Sequence, residues 1–189
     1  MNKRLFLVAA TALLTISACS TTGSSSGSAD PATKRAAIDA EVDAALANLY
    51  AQAPGSRELV GKARGVLVFP SIVTAGFVVG GSYGQGALRV GGRSTAYYST
   101  TAGSVGLLAG AESKAVYILF MNDEALNKFV ASKGWTAGVD ASVTVVNMSA
   151  EAMANTEVAK QAVIGFILSK GGLMANLSFD GTKVTRLDL

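Results

Sequence analysis

The stretch VVGGSYGQGALRVGG, residues 78–92, places six glycines in fifteen positions. Two readings compete for it. A nucleotide-binding loop spaces its glycines G-x-G-x-x-G between a strand and a helix, so that the helix N-terminus meets a pyrophosphate. Here Gly81, Gly84 and Gly86 run G-x-x-G-x-G, the ALRVGGRSTAYYS that follows is strand-like, and no G-K-[ST] occurs in the chain. The phosphate cradle fails. Glycines inside a strand pattern mark bulges, tight bends or a second backbone close by. Gly80, Gly81, Gly84 and Gly86 are therefore read as curvature sites in a sheet, where an added side chain would clash.

The flanking sequence supports a sheet. GVLVFP, residues 65–70, reads as a buried strand stopped by its proline, with a turn or one helical turn over 71–75. From Gly76 to Gly110, four short strand-like runs follow one another: GFVVGGSY, GALRV, STAYYST and GSVGLLAG. KAVYILFM, residues 114–121, is an unbroken apolar strand of the kind covered on both faces. TAGVDASVTVV, residues 136–146, alternates, with Val139, Ala141, Val143 and Val145 opposite Asp140, Ser142 and Thr144. VIGFILS, residues 163–169, is another apolar strand. LMANLSFDGTKVTRL, residues 173–187, carries the strongest hairpin signal, with Asp180-Gly181 as its two-residue turn.

Helical signals are fewer. Ile38, Val42, Leu46, Leu49 and Tyr50 recur at helical spacing over residues 32–53, with charges of both signs opposite them, and Pro54-Gly55 ends the run. That mixed polar face favours packing on the domain over lying on a membrane. Ser56 caps a short second helix. A third is expected over 123–133, capped by Asn122 and buried through Leu126, Phe129 and Val130. Residues 149–160 are alanine-rich and weakly patterned, and their structure stays open. No strand–helix–strand alternation demands a parallel sheet. The expected fold is α+β and β-dominated: a mostly antiparallel, strongly curved or barrel-like sheet with two or three helices.

The N-terminus reads as an address. Lys3 and Arg4 precede an apolar run from Leu5 to Ile16, which Ser17-Ala18-Cys19 closes. This is the pattern of a secretory signal, and its end resembles the bacterial lipobox, in which the cysteine is acylated and becomes residue one. Residues 1–18 are then the removed signal, 19–31 the acylated Cys19 and a flexible Ser/Gly tether, and 32–189 a single domain. Ser20, not aspartate, follows Cys19, which resembles the pattern for transport to the outer membrane of a Gram-negative cell. An ordinary signal cut near Ala18 would instead leave Cys19 a free thiol.

Composition narrows the chemistry. The chain has 16 Lys and Arg against 13 Asp and Glu. Without Lys3 and Arg4 the net charge falls to +1, which provides no broad field for nucleic acid. There is no histidine, and Cys19 is the sole cysteine. Ser-His-Asp and Cys-His nucleophiles, disulfides and the common zinc sites are therefore excluded. No catalytic residue, cofactor or metal ligand is expected. An enzyme built on Asp140, Glu112 and Asp123 would need spacing that the sequence does not show.

Several blocks together identify a family resemblance. These are GKARGVLVFPSIVTAGFVVGGSYGQGAL, AYYSTTAGSVGLLAGAESKAVYILFMNDEALNKF, WTAGVDASV and GLMANLSFDGTKVTRL. From about Leu59 to Leu187 the chain resembles the SYLF lipid-binding domain family, in its bacterial lipoprotein branch. The resemblance implies a non-enzymatic lipid-binding module; eukaryotic members bind phosphoinositides and some bind actin filaments. Ser71 and Thr74 stand where eukaryotic members often carry lysines, which implies a weaker or different lipid preference. The expected function is an outer-membrane lipoprotein contacting phospholipid, with anionic headgroups met by Lys62, Arg64, Arg89 and Arg93. The alternative is a structural or protein-interaction envelope lipoprotein with no specific lipid ligand.

Overall fold

The computed structural model describes residues 30–53, 55–145, 160–169, 172–173 and 181–189. Its helices are α1 (Pro31–Gln52), α2 (Ser56–Lys62) and α3 (Asp123–Ala131). Its strands are β1 (Gly65–Val90), β2 (Arg93–Phe120), β3 (Trp135–Thr136), β4 (Thr144–Val145), β5 (Val163–Ser169), β6 (Gly172–Leu173) and β7 (Lys183–Leu187). They form one strongly curled mixed sheet, a half-barrel, and the domain is α+β with β-structure dominant.

The short runs expected between Gly65 and Phe120 are two continuous strands of 26 and 28 residues, paired antiparallel along their length. They are joined at Gly91-Gly92, whose φ values of 59° and 79° are both left-handed. Two such residues in succession give the type I′ hairpin turn, which matches strand twist and favours glycine. Pro70 does not stop β1. Phe69 pairs with Val116 and Ile72 with Lys114, so β1 carries one extra residue over that interval. Proline has no N–H to give a ladder and sits without cost in a bulge. The bulge also shifts the alternation, so that Ile72 is buried and Ser71 exposed.

The hairpin folds back on itself. A Cβ on Gly86 would overlap the Val68 carbonyl oxygen and lie 2.8 Å from Phe69 Cδ1. One on Gly84 would lie 2.8 Å from the Ser71 oxygen, and one on Gly76 would overlap Gly80 Cα. The end of β1 thus returns over its beginning, and the bare glycine backbone makes room for it. Gly81 differs: its nearest neighbour, the Ala102 oxygen, would be 3.9 Å away, so no clash arises there.

β2 is the centre of the sheet. Its C-terminal part pairs with β5 over Lys114–Phe120, and its N-terminal part with β7 over Tyr97–Thr101. Both faces are covered, as the apolar KAVYILF run requires. On the concave face Phe69, Tyr98, Phe120, Phe129 and Trp135 pack with Leu67, Leu88 and Leu126. On the other face Ile38, Val42 and Leu49 of α1 cover Val66, Val68, Tyr117, Leu119 and Phe166. Tyr117 is fully buried and donates to the Ala45 carbonyl at 2.8 Å; burial pushes its hydroxyl pKa up to about 12.

Four local expectations need correction. Ser56 is the first residue of α2 rather than its cap, which is Gly55, and its hydroxyl turns back to the Leu49 carbonyl. Val130 is 42% exposed, because α3 faces the core through Leu126 and Phe129, with Ala125 partly buried beside them. That helix ends at Ala131 rather than Lys133. The alternating run over 136–146 is not one strand: Gly138, at φ 82°, turns the chain, Ala137 bridges Ala141, and Val139 stands 79% exposed. β4 pairs parallel with β5. Residues 149–159 and the first arm of the hairpin expected at Asp180-Gly181, residues 174–180, lie outside the described residues; Gly181 has a φ of 78° and the second arm forms β7.

Candidate functional site

The chain brings two surfaces to opposite ends of the folded hairpin. At one end, the Gly91-Gly92 turn meets α1 and α2. Leu46, Tyr50, Val60, Ala63, Val66 and Arg89 line a cleft of about 330 Å³ there. Arg57 stacks on the Tyr50 ring at 4.3 Å. The two segments that carry the four expected lipid-contact bases are thus neighbours, but the bases are not four free cations.

Lys62 lies 2.7 Å from Glu58, one helical turn away, and both are exposed. The ammonium holds the Glu58 carboxyl below its usual range. Arg64 is 3.6 Å from Asp123. Arg89, with its side chain 15% exposed, donates to Asp43 at 2.7 Å, the Asp39 carbonyl at 3.3 Å and the Gly92 carbonyl at 3.2 Å. Asp39 also accepts from Ser94 at 2.5 Å and Tyr97 at 2.9 Å. Burial first, then the Asp39 carboxylate, raises the Tyr97 pKa. Arg89 is therefore a clasp between α1 and the hairpin. Arg93 is exposed and, among the described residues, makes no ion pair.

Sequence patterning placed Asp39 on the outward face of α1. It missed the Asp39–Arg89 network, because residues fifty apart carry no spacing signal. Arg57 was missed for a related reason: Pro54-Gly55 interrupts the helical period that would pair it with Tyr50.

At the other end, the bend leaves apolar side chains in solvent: Val73 at 47%, Val79 at 67% and Tyr83 at 51% exposed. A groove of about 570 Å³ beside it is lined by Ser71, Val73, Ala75, Tyr83, Gln85 and, from α1, Glu41. Gln85 donates to the Tyr83 hydroxyl at 2.7 Å, and the Ser71 and Ser113 hydroxyls meet at 2.8 Å. Neither 71–86 nor 94–111 contains a charged residue. The first charges behind the bend are Glu41, Glu112 and Lys114, and half-burial lowers the Lys114 pKa.

Two of the three carboxylates of the enzyme reading are held structurally. Asp140 accepts from the Thr136 backbone N–H at 2.6 Å and closes the turn there, while Asp123 faces Arg64. Among the described residues, no three His, Cys, Asp or Glu side chains converge on a possible metal position, and no helix is long and apolar enough to cross a membrane.

The family model described as Ysc84, Las17-binding protein actin regulator, matches residues 101–188. The matched region starts inside β2 and takes in α3 and β3 to β7, so Lys62, Arg64, Arg89 and Arg93 all lie before it. No curated protein matches the chain.

Proposed function

Because residues 101–188 belong to the SYLF (Ysc84) family, a family of lipid-binding and actin-regulating domains, we propose that this chain is a non-enzymatic lipid-binding lipoprotein of the bacterial outer membrane. Cys19 carries the acyl anchor, residues 20–30 form the tether, and the folded domain touches phospholipid. The observation that carries the lipid reading is the exposed, charge-free bend, on a domain of a lipid-binding family. Of the four bases, only Arg93 makes no ion pair among the described residues. Attraction to anionic headgroups through it amounts to about 1 kcal/mol, so a preference for anionic lipid is weak and fades with salt.

Two measurements test this. Cys19→Ala should leave the protein uncleaved or soluble; recovery in salt-washed outer membranes would refute the acyl anchor. Flotation of the unacylated chain with vesicles should show lipid binding, slightly stronger with anionic lipid. A second reading, protein interaction, draws on the family description, which names a protein partner. Absence of flotation with both vesicle types would favour it.

A further inference from the structure

We infer that the bend of the β1–β2 hairpin, around Val79 and Tyr83, is the surface that enters the bilayer, shallowly, at the boundary of headgroups and acyl chains. The inference rests on the lipid-binding reading and assigns it a place.

Charge comes first. The chain is 15% charged, and at that frequency the thirty-four residues of 71–86 and 94–111 would carry about five charges, the side chains most costly to bring into hydrocarbon. They carry none. A protein interface keeps a polar, charged rim around its apolar centre, whereas here the first charges on the strands, Glu112 and Lys114, lie level with Thr74 and Ile72, well behind Val79. Tyr83, half in solvent beside the apolar tip, has the amphipathic character of side chains at the membrane–water boundary.

The backbone is suited as well. Unpaired N–H and C=O groups are excluded from hydrocarbon. The ladder between the two strands runs up to the bend on both sides: Phe77 pairs with Ala109 and, after a register shift that leaves Leu107 and Leu108 without ladder partners, Val78 pairs with Gly106 and Val79 with Val105. The outer strand edges and the Leu107-Leu108 backbone stand outside the ladder, and at shallow depth water reaches them.

The direction of α1 agrees. Glu41 lines the groove beside the bend, while Leu46, Ala47 and Tyr50 meet the opposite turn. α1 therefore runs from the bend end toward the turn end, and its first residue, Pro31, lies on the side of the bend.

The test uses the chain from residue 19 with Cys19→Ser, so that vesicle binding depends on the domain. In phosphatidylethanolamine–phosphatidylglycerol vesicles, Val79→Asp should weaken flotation by about tenfold or more, with the circular-dichroism melt unchanged, because Val79 packs on little. Arg93→Glu should weaken it far less. A fluorophore on Val79→Cys, the sole thiol, should shift to the blue with vesicles, and one on Arg93→Cys should not. Equal flotation of Val79→Asp and the parent, or a blue shift at position 93 alone, overturns the inference and leaves the lipid reading intact. No flotation of the parent overturns both. Sedimentation showing a dimer that Val79→Asp dissociates, with flotation unchanged, would assign the bend to a second copy of the chain and also overturn it.

Discussion

Gly86 offers a sharp test of the fold-back. Its added Cβ would overlap the Val68 carbonyl oxygen, which belongs to backbone that β2 holds in register on its other side. Relief requires the two limbs of β1 to separate by about 1 Å or more, enough to lose van der Waals contact between them. Separation also loosens Phe69, which is fully buried on the concave face. Overpacking of this kind costs about 1–3 kcal/mol. Against it stands the gain from a less flexible unfolded chain, about 0.4–1 kcal/mol for Gly→Ala. The net for Gly86→Ala is a loss of roughly 1–2 kcal/mol, or about 2–8 °C in Tm for a domain of this size. Gly81→Ala is the control. Its Cβ meets nothing closer than 3.9 Å and its φ is not left-handed, so only the unfolded-state gain applies and Tm should hold or rise slightly. The assay is thermal unfolding followed by the fluorescence of Trp135, the sole and fully buried tryptophan. If Gly86→Ala melts at or above the Tm of Gly81→Ala, the limbs are not in contact and the folded-back hairpin is wrong.

Two further outcomes follow from buried polar groups. The Tyr117 pKa is raised in the folded chain, so the protonated form is favoured there. Its stability contribution is complete below the unfolded value near 10 and is lost as pH rises toward about 12; Tyr117→Phe should flatten denaturant-measured stability between those pH values by up to about 2–3 kcal/mol. Arg89→Ala should lower stability by about 1–2 kcal/mol, less than for a fully buried pair because its partner Asp43 is exposed, and Asp43→Asn should recover part of that loss; an unchanged denaturation midpoint in Arg89→Ala would remove the clasp.

Class and curvature were legible in the sequence because they depend on local signals. The failed phosphate spacing at Gly81, Gly84 and Gly86 and the unbroken KAVYILF run both point to a covered, bent sheet. Asn122 was legible as the cap of α3, since its side chain accepts from the Ala125 N–H three residues on. The long hairpin was not. Pro70 and the glycines are strand breakers on average, and only the register across β2 shows them as bulge and contact sites within one strand. The same limit applies to function. Lys62, Arg64, Arg89 and Arg93 could be picked out as cations, but a sequence does not show that Glu58, Asp123 and Asp43 neutralise three of them. The uncharged bend was in plain view as composition and acquired meaning only once the fold-back placed it at one end of the molecule.

The position of β2 bears on the order of assembly. The Gly91-Gly92 turn brings its two flanking strands together at minimal loop-closure entropy, so the hairpin can zip from that point by local steps. β5 and β7 are added afterwards from more distant sequence, each to a different segment of the same already formed strand. Long-range pairing is the slow part of β-sheet formation, and here one early hairpin supplies the template for both late arrivals. Substitutions at Gly91 or Gly92 should therefore slow folding more than they speed unfolding, whereas substitutions in β7 should do the reverse.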